Sequence, residues 1–424
     1  MSGNEKRPLA PRLRFPEFRD AGGWSFQPLR KLAKRSIRKN TGCEITRVLT
    51  NSAEYGVVDQ RDFFDKDIAN QGNLEGYYIV EEGAYVYNPR ISATAPVGPI
   101  SKNKIGIGVM SPLYTVFKFD NSQNEFYSQY FKSTHWHQYM RQSSSTGARH
   151  DRMSITNDDF MGLPLPVSMP EEQQKIADFL SSLDDLITAE TQRLGAIKAY
   201  KKGLMQQLFP REGEAVPRLR FPEFQNAGEW EEVALGEIAE IKLGKMLDSK
   251  KHTTGNLLPY LNNLSVRWND VDTSNLPKMY FDNDELDRFG LRADDVVVCE
   301  GGEPGRSAVW DGRLPDLKFQ KAIHRVRFNV PFEPHLLVFY LESIAGTPRF
   351  EMLFTGGGIK HLTGETFAQL KIPITSHAEQ QRIANCLCSL EELIADQSKK
   401  IDALKTHKKG LMQQLFPVLD AVQA

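Results

Sequence analysis

The octapeptide Pro11-Arg-Leu-Arg-Phe-Pro-Glu-Phe18 returns unchanged as Pro217-Arg-Leu-Arg-Phe-Pro-Glu-Phe224, 206 positions later. Ala21, Gly22, Trp24 and Leu29 recur at the same shift as Ala227, Gly228, Trp230 and Leu235. A second matched pair, residues 171–210 and 378–417, lies 207 apart, with 22 of 40 positions identical and a shared closing Lys-Lys-Gly-Leu-Met-Gln-Gln-Leu-Phe-Pro. Two matched pairs at nearly one offset make the 424-residue chain a tandem duplication. Two units are too few for a solenoid, so each half is expected to be a domain plus a connecting element.

The matched 40-residue segments carry no proline until their last residue, Pro210 or Pro417, which fits a helix that stops there. In the first, heptad positions a and d hold Leu180, Ile187, Leu194, Lys201, Leu208 and Ile176, Leu183, Glu190, Ile197, Leu204. In the second they hold Leu387, Ile394, Ile401, Lys408, Leu415 and Ile383, Leu390, Gln397, Leu404, Leu411. A 3.5-residue apolar spacing kept over this length predicts a coiled-coil seam, and two matched seams in one chain are expected to pair. The polar breaks coincide, Glu190 with Gln397 and Lys201 with Lys408. Polar a and d residues commonly set register. Each helix is expected to be a rod of roughly 58 Å.

Between the matched segments the halves diverge, yet both predict mixed α+β domains. Strands are expected at 76–80, 84–87, 114–119, 295–299 and 323–328, and helices around 125–140 and 334–344. Each variable stretch closes similarly, with Thr146-Gly147 before Phe160–Val167 and Thr355-Gly356 before Phe367–Ile374. One frame with two different contents suits a protein that reads two different targets.

Net charge is −1, an unpromising start for a nucleic-acid binder. The halves differ: residues 1–210 hold 27 basic and 23 acidic side chains, residues 211–424 hold 26 and 31. The run Arg30–Lys39 is strongly basic, and its plain reading is a solvated amphipathic helix face. If the chain binds DNA, a partner is expected to neutralise much of the phosphate. Cys43, Cys299, Cys386 and Cys388 form no CxxC pair, which fits a reducing cytoplasm and argues against structural zinc. No apolar run is long enough for a membrane span, and the N-terminus carries no signal-peptide core.

No catalytic arrangement stands out. Gly301-Gly-Glu-Pro-Gly-Arg-Ser307 lacks the spacing and lysine of a phosphate-binding loop. Tyr87-Asn-Pro-Arg90 falls short of the Asn-Pro-Pro-aromatic motif of amino methyltransferases, and a strand-end turn is the plainer reading. His135-Trp-His137 has no evident third ligand, so packing or DNA contact is expected there and no metal.

The organisation resembles the specificity subunit of type I restriction–modification enzymes over essentially the whole chain. The likeness rests on the Glu-Gln-Gln-[Lys/Arg]-Ile-Ala openings at 172–177 and 379–384 and the two shared closings. It also rests on the Leu29 and Leu235 domain starts, on Gly83–Ser92, and on the Thr-Gly before each last strand. The resemblance implies an α/β, mixed α+β fold with two target-recognition domains, residues 1–170 and 211–377. It implies spacer helices at 171–210 and 378–417, paired as an antiparallel coiled coil with pseudo-twofold symmetry, and a tail at 418–424. It further implies that each domain reads one half of a bipartite, asymmetric double-stranded DNA site. The helices set the gap and dock two modification subunits, which use S-adenosylmethionine to methylate adenine. Two restriction subunits add ATP- and Mg-dependent translocation and cleavage. The chain itself holds no cofactor and performs no chemistry.

Base readout needs side chains that reach base edges, with phosphate contacts from Lys, Arg, Ser, Thr and backbone amides. The first domain offers Asn88, Arg90 and Ser92, then Lys102 and Lys104, then the cationic loop with Arg141, Ser144, Thr146, Arg149 and Arg152. The second offers Asn262, Asn263, Arg267, Arg306, Lys318, Lys321, Gly357, Lys360 and His361. A coiled-coil scaffold that binds two protein partners without reading DNA is the alternative, and the near-zero charge favours it. The divergence of the two variable parts inside a near-identical frame argues for readout.

If the seam is a ruler, four residues inserted into helix 171–209 lengthen it by about 6 Å. The recognised spacer then grows by between one and two base pairs at ~3.4 Å each. A methylated motif with an unchanged gap in such a variant refutes the ruler.

Overall fold

The computed structural model describes residues 9–63, 74–120, 125–146, 151–247, 254–356 and 360–418. It divides into two compact units, Met1–Glu190 with Lys400–Ala424, and Thr191–Lys399. The units do not follow chain order because each takes part of both long helices, Pro170–Leu208 and His377–Leu415.

Each unit opens with the same frame. In the first, strand Ser25–Pro28 pairs antiparallel with Pro164–Val167; in the second, Glu231–Ala234 pairs with Lys371–Ile374. A single helical turn follows, Leu29–Leu32 or Leu235–Ile238, and then a strand, Ala33–Arg35 or Ala239–Leu243. The basic run at 30–39 is therefore no amphipathic helix: its first residues close one turn and the chain then pairs with Phe117–Phe119.

The variable parts share a topology that alignment does not reveal. The first unit holds a four-stranded antiparallel sheet in the order Ala33–Arg35, Thr115–Phe119, Tyr85–Tyr87, Ile100–Lys102. The second repeats it as Ala239–Leu243, Ile323–Phe328, Val296–Cys299, Ser307–Val309. The cores differ in chemistry. Rings of Tyr85, Tyr87, Phe117, Phe119, Phe131 and Phe160 stack edge and face in the first. Val296, Val298 and Val326 pack with Leu336, Leu337 and Phe339 in the second. Aromatic and β-branched residues both suit a half-buried pleated surface, so two unlike sequences satisfy one layout.

The helix Pro334–Ile344 forms where the sequence predicts it. The helix expected around 125–140 does not; it breaks into Phe126–Tyr130 and His137–Ser143. The Ser133 hydroxyl accepts from the His135 amide at 3.4 Å, and the Trp136 indole donates to Phe131 O at 3.1 Å. Such local side-chain bonds offer the backbone an alternative to the helix ladder.

Within each unit the two long helices run antiparallel. In the first, Glu190 meets Lys400 and Asp184 meets Lys408; in the second, Lys201 meets Glu391. Ile176, Leu180 and Leu183 pack with Leu411, Met412 and Leu415, while Leu204 and Leu208 share a core with Ile383, Leu387 and Leu390. The remaining apolar heptad residues, Ile187, Leu194, Ile197, Ile394, Ile401 and Leu404, are also buried or half-buried. The polar breaks Glu190, Lys201, Gln397 and Lys408 are each at most 9% exposed.

Buried charges at these breaks are fully engaged. Lys201 Nζ donates to both Glu342 oxygens at 2.8 and 2.7 Å and to Glu391. Lys408 Nζ donates to Gln129 Oε1 at 3.0 Å and pairs with Asp184 at 2.5 Å. Burial alone would raise the Asp184 carboxyl, but Lys132, Lys408 and Gln129 outweigh it and hold it down to about 2.

The repeated octapeptide acquires a physical reason here. Arg14 forks onto Glu172 at 2.7 and 2.8 Å and donates to Ala21 O and Gly22 O. Arg220 forks onto Glu379 at 2.7 and 2.7 Å and donates to Ala227 O and Gly228 O. Glu17 meets Lys175 as Glu223 meets Arg382. One clip pins each N-terminal segment to the start of its long helix, and bidentate guanidinium–carboxylate pairs fix orientation as well as distance.

Replacing both Glu342 and Glu391 by glutamine strands the Lys201 ammonium, and a buried charge without its partners costs about 3–5 kcal/mol. Lys201→Met in that background should restore most of the loss. Denaturant unfolding of the parent and the two variants checks this, and a double glutamine variant within about 1 kcal/mol of the parent contradicts it.

Candidate nucleic-acid interface

In the first unit the strand Tyr85–Tyr87 delivers Asn88 to one end of the sheet. Asn88 Nδ2 donates to Asn51 O at 2.9 Å, and its Oδ1 accepts from the Arg90 amide at 3.0 Å, a strand-end turn. The next residues join a second loop. Ile91 N donates to Asp151 O at 3.0 Å, Met153 N donates to Pro89 O at 2.9 Å, and Arg90 bridges Arg152. Thr146 pairs with Met153, and Ser144 Oγ donates to Arg141 O at 3.4 Å. Asn88, Arg90, Ser92, Arg141, Ser144, Thr146 and Arg152 thus belong to one connected group of loops. Arg90 and Ser92 are exposed, and Arg152 is half-buried. Arg149 lies outside the described residues.

Lys102 and Lys104 do not join this group. Tyr87 faces Ile100 and Tyr85 faces Lys102, so the lysines lie toward the opposite end of that ribbon. Both are drawn to Glu125, at 2.6 and 3.0 Å, and the Lys102 side chain is 7% exposed. Burial would raise the Glu125 carboxyl, yet the two lysines hold it below its usual range.

In the second unit four loops are tied together around Glu300. Its amide donates to Ala322 O at 2.9 Å and its carbonyl accepts from Leu362 N at 2.8 Å. Gln320 N donates to Leu261 O at 3.0 Å, and Arg306 Nη2 donates to Asn263 O at 2.6 Å. Gly301 bridges His361. Asn262, Asn263, Arg306, Lys321 and His361 are brought together in this way. Arg306 also holds Glu303 at 2.8 Å, exposed Arg267 holds Asp272 at 2.7 Å, and exposed Lys360 holds Glu351. Lys318 does not belong to the surface: it is 3% exposed, and burial pushes its ammonium below the usual value. Gly357 lies outside the described residues.

Two residues that organise these loops carry no signal in the sequence. Asn51, buried, donates to Val86 O at 2.8 Å and Pro99 O at 3.1 Å. His324, fully buried, has its Nε2 2.7 Å from Leu362 O, and burial lowers its basicity. Neither stands in a repeated motif, so only folding reveals them. His135 and His137 pack on Phe416 and Trp136, and burial pushes the His137 imidazole down to about 4. Among the described residues no three His, Cys, Asp or Glu side chains gather to hold a metal ion, and no helix is long and apolar enough to cross a membrane.

A family model described as the type I restriction modification DNA specificity domain matches residues 44–199 and again 227–406. The chain belongs to this family. The type I restriction enzyme MjaVIII specificity subunit of Methanocaldococcus jannaschii is 24% identical over 287 residues, 65% of each chain. The same organism's putative type I restriction enzyme MjaX specificity subunit is 25% identical over 278 residues, 63% of this chain and 61% of the relative. The chain thus spans just under two thirds of the curated relatives it matches. Among solved structures, a chain from work on complex assembly and conformational transition of the type I R-M system aligns with a TM-score of 0.60. The identity is 15%, with 96% of this chain and 99% of that one covered. The S subunit of a type I restriction–modification system from M. genitalium aligns at 0.56 and 14% identity, over 97% and 100%. These likenesses establish a shared fold.

In this specificity chain, Gly98 closes the loop that carries Asn88. Its φ is +79°, and a Cβ there would stand 2.1 Å from Asn88 O and 3.0 Å from the Tyr87 ring. Gly42 also has φ near +81° but meets nothing within 4 Å. Gly42→Ala should cost about 1–2 kcal/mol from backbone strain alone. Gly98→Ala should cost at least ~2 kcal/mol more, since the clash is with backbone. Thermal unfolding of the two variants side by side decides it, and equal losses refute the loop-closure role.

Proposed function

We propose that this chain is the DNA-reading subunit of a type I restriction–modification complex and reads a bipartite, asymmetric double-stranded site. The observation that carries this is the repetition of one loop scaffold with different side chains. Where the first unit presents Asn88, Arg90 and Arg152, the second presents Glu300, Gly301 and His361 at the ends of matching strands. Identical readers would select a palindrome; unlike readers on one frame select two different half-sites. DNA contacts, to bases or to phosphates, fall to Asn88, Arg90, Ser92, Arg141, Ser144, Thr146, Arg149 and Arg152 in one domain. In the other they fall to Asn262, Asn263, Arg267, Arg306, Lys321, Gly357, Lys360 and His361. The target-recognition domains are residues 1–170 and 211–377, and the segments 171–210 and 378–417 set the spacer.

The outer faces of the long helices dock two modification subunits, which hold S-adenosylmethionine and methylate adenine. Two restriction subunits complete the assembly with ATP and Mg. The complex works in the cytoplasm, and this chain contributes positioning rather than chemistry.

Long-read methylation mapping of cells that express this gene with the gene of a modification subunit tests the reading. A gapped, asymmetric adenine-methylated motif should appear only when both genes are present. Arg90→Ala should relax one half of that motif and leave the other half intact, at about 1–3 kcal/mol of discrimination. If the two proteins co-purify and no motif appears, the scaffold alternative replaces this one.

A further inference from the structure

Leu264 is the most exposed large apolar side chain among the described residues, at 78%. Singly exposed leucines are ordinary; the turn that carries this one is not. Asn262 Oδ1 accepts from Leu264 N at 2.9 Å, from Ser265 N at 3.1 Å and from Ser265 Oγ at 3.2 Å. Ser265 N also reaches Asn262 O, and Asp272 N reaches Ser265 O. On the other side, Asn263 O is held by Arg306 Nη2 at 2.6 Å. The leucine is thus displayed on a locked turn inside the loop cluster around Glu300, with most of its surface left open.

We infer that Leu264 is a wedge that enters the base stack of the DNA half-site read by the second unit. The inference rests on the DNA-reading assignment above and adds a mode of contact to it: deformation of the duplex. Apolar side chains presented by rigid backbone part neighbouring bases, and the distorted duplex then admits more contact. A turn fixed beforehand loses little conformational freedom on binding. The first unit repeats the device. Ser52 Oγ accepts from Glu54 N at 3.2 Å and Tyr55 N at 3.3 Å, and this turn displays Tyr55, 64% exposed. The turn follows Asn51, which is bonded to Val86 of the sheet that delivers Asn88 and to Pro99, just before the sheet's edge strand.

The test uses the chain assembled with its modification subunits and duplexes that carry its methylated motif. 2-Aminopurine is placed in turn at each position of the second half-site. The parent complex should raise the probe's fluorescence at one step. Leu264→Ala should abolish that rise and weaken binding roughly tenfold, the worth of losing most of a buried leucine. On a duplex with a mismatch at that step, where the stack is already open, the loss should shrink below about threefold. Leu264→Met should keep both signals, and an unchanged melting temperature shows that the alanine variant is folded. Binding within twofold of the parent, or an equal loss on matched and mismatched duplexes, overturns the wedge. A parent complex that prefers no sequence overturns the DNA-reading assignment itself, whatever Leu264 does.

Discussion

A buried ammonium at the same heptad position of each long helix is the constraint on which both units depend. An apolar residue there would pack in several registers. Lys201 and Lys408 cannot, because each needs acceptors at a fixed place. Each finds one on the facing helix, Glu391 or Asp184, and a second on a helix of the variable part, Glu342 or Gln129. Asn269 joins one set, donating to Glu342 at 2.8 Å and Glu391 at 3.0 Å; Lys132 joins the other through Asp184. The same charge therefore fixes the helix register and locks the variable part onto the helix pair.

Much of this was legible in the sequence, for a definite reason. The seam shows because heptad spacing repeats over many turns, and the lysines show because they interrupt it twice at one offset. The shared sheet topology was hidden because one core uses stacked rings and the other aliphatic side chains, so no residue-by-residue match survives. The broken helix at 125–140 was hidden because Ser133 and Trp136 act through particular hydrogen bonds rather than through a pattern. Lys102 and Lys318 look like surface cations by residue type alone. Strand register places the first against Glu125 and the second inside the core, and register is a property of pairing rather than of composition.

Charge at the candidate interface is organised rather than abundant. Arg306, Arg267 and Lys360 each sit on a carboxylate of their own unit, and Glu303 also accepts from the Trp268 indole at 3.1 Å. Exposed pairs of this kind add little stability. They hold long side chains in fixed orientations and mute the general attraction to phosphate that drives non-specific binding. A chain of net charge −1 can then discriminate between sequences without adhering to all of them.

The contrast between repeated frame and divergent contents follows from which atoms do the holding. The frame is held by side chains: Arg14 on Glu172, Arg220 on Glu379, Lys408 on Asp184, Lys201 on Glu391. Any loss or reversal of charge there breaks a buried, charge-assisted contact, so both copies must keep the same chemistry, as Asp184 and Glu391 do with different residues. The loops are held mainly by backbone: Ile91 to Asp151 and Met153 to Pro89 in one unit, Glu300 to Ala322 and Leu362 in the other. Backbone bonds are indifferent to the side chains beside them. Loop side chains other than those that hold a turn, such as Asn88, Asn262 and Arg306, can therefore be exchanged without disturbing the strands that carry them, and one duplicated frame can support two readers of different sequence.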